Sequence, residues 1–131
     1  MLHPDLASTR PQAIAMTLPD LTRRLIRFRD ARDWKRFHSL KNLILSTNLE
    51  AAELLELTQW KDETEVEAAV RDAEYRRRLA EESADVLLYL LLIAERAGFD
   101  LAAAAAAKIE ANELKYPVEK ARGSARKYTE L

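Results

Sequence analysis

The chain has no cysteine, which excludes disulfides and thiolate metal sites and is compatible with a reducing cytoplasm. Only two glycines and four prolines occur in 131 residues, and the prolines lie near the ends, at Pro4, Pro11, Pro19 and Pro117. The long interior has few ways to turn, which argues against a sheet-rich fold. Net charge is also scarce, at −1, so nothing draws the whole molecule to a nucleic acid polymer or an anionic membrane. The longest apolar run, Val86 to Ala94, is far too short to span a bilayer, and no secretory apolar segment follows the N-terminus. These absences point to a soluble, cytoplasmic protein. What is present is 48% hydrophobic and 33% charged residues, enough for one core under a soluble surface.

Residues 1–16 show no periodicity and contain two prolines, so they read as a disordered arm. Order is expected from Thr17, where Thr17 and Asp20 form a capping pattern and Pro19 fits a first turn. A first helix to about Asp33 places Leu21, Leu25 and Phe28 on one face. Residues 34–38 connect it to a second helix, capped by Ser39 and running from Leu40 to about Trp60. Thr64 with Glu67 suggests the start of a short helix ending near Asp72, and a long helix follows over 73–97. Gly98 reads as its stop and Asp100 as the cap of a last helix closed by Pro117. Residues 17–117 thus form an all-α domain of four to five helices. The basic tail, 118–131, depends for its order on docking against substrate or a neighbouring subunit. The stretch VLLYLLLIA is apolar on every side, which suggests that its helix is central or also faces a second copy.

Glu50 and Glu53 stand three apart in one predicted helix, and Glu82 and Asp85 three apart in another, so each pair shares a face. Antiparallel packing would bring four carboxylates around one space, where they repel unless cations intervene. Hard oxygen ligands select magnesium, with manganese as a substitute, and suit a phosphorylated substrate. A di-iron bundle site would want Glu-x-x-His pairs, which His3 and His38 do not supply. Acids at this spacing are common on solvated faces. Here, however, Glu50 and Glu53 have apolar neighbours, and Asp85 immediately precedes the apolar run. Spacing alone leaves Glu81 as an alternative to Glu82, and Glu56, one turn after Glu53, as a fifth acid, a general base or a surface residue.

These residues resemble those of the MazG-like all-α nucleoside triphosphate pyrophosphohydrolases, in the small branch that contains the dCTP pyrophosphatases. The likeness extends over residues 21–131 in ordered blocks: FRDARDWKRFH, KN, EAAELLELTQW, EESADVLLYL, KIEANELKYP and ARGSARKYTEL. It implies a helical bundle assembled as a homodimer or homotetramer that cleaves a nucleoside triphosphate to a monophosphate and pyrophosphate. It assigns Glu50, Glu53, Glu82 and Asp85 to magnesium, resolving the choice at 81 and 82. Leu25 stands where dCTP-preferring members carry histidine, so the resemblance leaves base preference open.

Glu53 is the first candidate to take a proton from the attacking water and Glu56 the second. Trp34 and Trp60 sit at predicted helix ends, where rings either close a core or stack on a base; the resemblance favours a base pocket, with Phe28 and His38 beside them. It favours phosphate contact for Lys115 and Lys127. Tyr89 and Asn112 are expected to meet the sugar, and Tyr128 to touch substrate or anchor the tail. Two rival readings are a catalytically silent helical oligomer and a same-fold hydrolase of another pyrophosphate compound.

Overall fold

The computed structural model describes residues 15–131, so the expectation for the N-terminal arm falls almost wholly outside the described residues. Six helices form there: α1 (Leu18–Ala31), α2 (Leu40–Glu56), α3 (Glu63–Ala69), α4 (Ala73–Ala97), α5 (Leu101–Lys115) and the single turn α6 (Val118–Ala121). Short 3-10 turns occur at Lys35–Phe37 and Tyr128–Glu130, and no strand appears among the described residues.

The helix starts follow local chemistry. Thr17 and Asp20 make a reciprocal capping box on α1, with Pro19 in its first turn. Ser39 caps α2 through the Asn42 N–H at 3.2 Å, and Asp100 caps α5 through that of Ala103 at 3.0 Å. The short helix α3 starts from Asp62 rather than Thr64. The Asp62 carboxylate accepts the Glu65 N–H at 2.8 Å and Glu65 accepts the Asp62 N–H at 3.1 Å. This earlier box also places Glu63 and Glu65 at the positive end of the helix.

Two helix ends fall short of their expected positions. The N–H of Trp34 bonds the carbonyl of Arg29 and that of Asp33 the carbonyl of Asp30, closing α1 at Ala31 with Asp33 left-handed at φ 53°. Bonds to the third residue back tighten the end of α2, which stops at Glu56 instead of Trp60. Trp60 itself takes φ 66°. Gly98 ends α4 at φ 79°, and its N–H reaches the Ala94 carbonyl at 2.8 Å. A Cβ there would meet no atom within 4 Å, so Gly98→Ala costs only backbone strain. The expected loss is about 1 kcal/mol, read as a lower urea midpoint with unchanged slope at fixed protein concentration.

The 25-residue α4 is the central element. It packs most extensively on α2, then on α1, and only lightly on α5. The Tyr75 hydroxyl donates to the Leu57 carbonyl at 2.9 Å, whereas Glu82 lies beside Glu50 and Glu53, so α2 and α4 run antiparallel. Leu43, Leu57, Leu91, Leu92 and Ala94 form the buried core. The apolar run of α4 supplies the last three. Ile44, Leu45, Leu49 and Leu55 on α2, by contrast, are more than half exposed.

Candidate active site

Packing of α2 on α4 brings Glu50, Glu53 and Glu82 together, with one carboxylate oxygen of each within 4.8 Å of the others. Glu50 and Glu82 are half-buried and Glu53 is exposed. The Oε2 atoms of Glu50 and Glu82 are buried without a hydrogen-bond partner. Burial, and then the charges of Glu53 and Asp85, push the Glu50 carboxyl above its ordinary range. Glu82 is raised likewise, by burial and then by Glu53. Like charges and missing solvent thus act together, and the Arg78 charge offsets only part of the effect on Glu82. Glu81 faces away and pairs with Arg77, which also holds Glu74 at 2.5 Å. Glu56, in the last position of α2, is exposed and outside the triad.

Asp85 does not join the three-residue cluster, yet its charge acts on both Glu50 and Glu82. It also lines an adjacent cavity of about 240 Å³ between α1 and α4, and so links the two regions. Phe28, Trp34, His38 and Tyr89 share that cavity. The left-handed turn at Asp33 folds Trp34 back onto Phe28, edge to face, with ring centroids 5.7 Å apart. The Arg32 guanidinium lies 3.7 Å from the Phe28 ring centre. His38 keeps its Nδ1 buried and unpartnered, and burial followed by the Arg29 charge lowers its pKa. The cavity is smaller than the roughly 300–1,000 Å³ of drug-sized sites and suits a single ring system.

The other expected contacts lie elsewhere. Trp60 is 92% exposed and lines no part of the cavity. Asn112 and Lys115 are exposed on α5. Tyr128 packs edge-on against Tyr116, and the Lys115 Nζ lies 5.0 Å from its ring centre, so the tail docks on the end of α5. Lys127 is exposed beside this group, and none of these residues lines the aromatic cavity.

Sequence reasoning missed Arg29. It is buried in the last turn of α1 and lines the cavity, with bonds to Asp30 and Glu95. Its position was a usable signal, because Arg29 lies four residues after Leu25 and eight after Leu21, on the apolar stripe of the helix. No helix of the described chain is long and apolar enough to cross a membrane.

Comparison with known proteins agrees with this architecture. Residues 45–131, which include all four candidate acids, match the profile of the MazG-like family. The chain is 42% identical over 129 residues to dCTP pyrophosphatase 1 of Mus musculus, covering 97% of this chain and 76% of the relative. With dCTP pyrophosphatase 1 of Homo sapiens it shares 43% identity over 115 residues, 88% of this chain and 68% of that one. The crystal structure of a pyrophosphatase from Archaeoglobus fulgidus DSM 4304 superposes with a TM-score of 0.72 at 36% identity, covering 82% of this chain and 99% of that one. The family profile over residues 45–131, the 42% identity to a relative of which the chain covers 76%, and the shared helical fold agree: this chain belongs to the MazG-like family.

Proposed function

We propose that this nucleotide pyrophosphohydrolase splits a (deoxy)nucleoside triphosphate between its α and β phosphates, using magnesium held by Glu50, Glu53, Glu82 and Asp85. The observation that carries the reading is the carboxylate triad, with two buried, unpartnered oxygens, beside an aromatic cavity. An all-oxygen donor set with unpartnered lone pairs fits a hard divalent ion, magnesium first and manganese as a substitute. Such an ion supplies charge neutralisation and polarisation of phosphate oxygens.

The chain's own residues do the remaining work. Glu53, the exposed member of the triad, accepts the proton of the attacking water, and Glu56 is the alternative base. The water oxygen bonds the α-phosphorus while the bridging oxygen leaves with pyrophosphate. Trp34, Phe28 and His38 enclose the base, and Tyr89 on the same cavity meets the sugar. Trp60, Asn112, Lys115, Lys127 and Tyr128 complete the substrate site once the assembled protein brings α5 and the tail towards it. The cellular consequence is removal of unwanted nucleotides from the cytoplasmic pool.

The reaction is tested by incubating the protein with ordinary and modified dNTPs and NTPs plus magnesium and following phosphorus NMR. A nucleoside monophosphate with pyrophosphate is expected; a diphosphate with orthophosphate would contradict the assigned bond.

Self-association, as a dimer or dimer of dimers, is part of the same proposal. The exposed leucines and isoleucine of α2 lie on the helix that carries Glu50 and Glu53, so an interface there would border the acids. Sedimentation velocity is expected to give at least two copies per particle, and a monomer at micromolar concentration would refute this part.

A further inference from the structure

Arg29 is the one charged residue that is fully buried among the described residues, at 4% exposure. Its Nε donates to Asp30 Oδ1 at 2.8 Å, its Nη2 lies 2.8 Å from the same oxygen, and its Nη1 donates to Glu95 Oε2 at 3.2 Å. Two hydrogen bonds and one ion-pair contact engage at most three of the five guanidinium N–H groups, which leaves at least two donors on a buried cation. The two carboxylate side chains are considerably more exposed, at 52% and 35%. An ion pair that served only to tie α1 to α4 would hold as well with its cation at the surface. Here the acids stay outside while the Arg29 side chain is sunk in the wall of the aromatic cavity, with its charge close enough to act on His38 on the same wall.

What enters that cavity is constrained by its walls. Leu25, Phe28, Trp34 and Leu88 offer apolar or ring surface, which suits a flat heteroaromatic group. Asp85 stands where this wall meets the carboxylate triad, the end at which the proposed metal would hold the phosphates, so the donors deeper in the cavity face the uncharged part of the substrate. Guanidinium donors are best matched by two adjacent acceptors in one plane. We propose that Arg29 reads the base, donating from the cavity wall to an edge with two neighbouring acceptors. That edge exists on cytosine, through O2 and N3, and on guanine, through O6 and N7. Thymine and uracil interleave an N–H between their carbonyls, and adenine sets its amino group beside N1 and N7 and leaves N3 with no acceptor next to it, so neither offers the pair. Arg29 is therefore a specificity residue for the reaction proposed above, and this inference rests on that reading of the cavity.

The test compares kcat/KM for dCTP, dGTP, dTTP, dATP and base-less 2-deoxyribose 5-triphosphate, with magnesium, in wild type and Arg29→Lys. Lysine keeps the charge and loses the planar fork. Relative to the base-less compound, dCTP or dGTP should lose roughly 5–150-fold, while the ratios for dTTP and dATP stay within about twofold. Should Arg29→Lys fail to fold, Glu95→Gln, which leaves the guanidinium in place but weakens one anchor, must shift the same ratio in the same direction. An equal loss for all bases, or a wild type that prefers dTTP or dATP, overturns the inference while leaving the pyrophosphohydrolase intact. No pyrophosphate from any nucleotide with wild type would overturn both.

Discussion

Glu53→Gln is expected to lower pyrophosphate release by about 100- to 10,000-fold while leaving the helical circular dichroism unchanged. Glu53 is the exposed member of the triad, so an isosteric amide disturbs no core packing. It removes both a ligand oxygen's charge and the proposed proton acceptor. The same substitution should stabilise the metal-free protein, because the Glu53 charge helps to push Glu50 and Glu82 out of their ordinary range. Activity and stability thus move in opposite directions, as they do where a site stores repulsion for function. Undiminished turnover would remove Glu53 from the mechanism, and Glu56→Gln is then the variant that must lose activity.

Divalent cations are expected to stabilise the protein strongly at pH 8 and hardly at all at pH 4. Glu50 and Glu82 have folded pKa values raised above an ordinary value of 4.5. For a raised carboxyl, the contribution to stability is full below the unfolded pKa and is lost as pH rises through the folded one. Above that range the metal-free fold carries charges it disfavours, and a bound cation relieves them. At a hundredfold excess over Kd the gain is about 2.7 kcal/mol, and it vanishes when the ligands are protonated. Asp20 and Glu74 are held below the usual range, by Thr17 and by Arg77, and their contribution runs the other way with pH. The informative readouts are therefore differences: thermal melts with magnesium against chelator at both pH values, and metal-free wild type against Glu50→Gln. A magnesium shift of the same size at both pH values would show that binding does not depend on these carboxylates.

The neighbouring acids Glu81 and Glu82 show how far local sequence reaches. Both lie within a turn of Asp85, and helical spacing admits either. Only the rotation of α4 about its axis, set by burying Leu91, Leu92 and Ala94, turns Glu82 to α2 and leaves Glu81 to Arg77. The two tryptophans make the same point. Sequence treats both alike, as rings at helix ends, but Trp34 folds onto Phe28 through a left-handed residue and lines the cavity, while Trp60 stands in solvent. Arg29 shows the converse: a charge on an apolar stripe reads as a solvated side chain until packing of α1 on α4 buries it.

By itself the sequence determined the all-α class, most helix starts and the chemistry of the acids. Caps, prolines and carboxylate spacing act over three or four residues and need no partner. Tertiary packing decided which acids meet, that Asp85 bridges the triad and the cavity, and that Arg29 lies buried in the wall of that cavity. Periodicity defines a face only relative to its own helix; which face meets which is chosen by burial of apolar surface between helices distant in sequence.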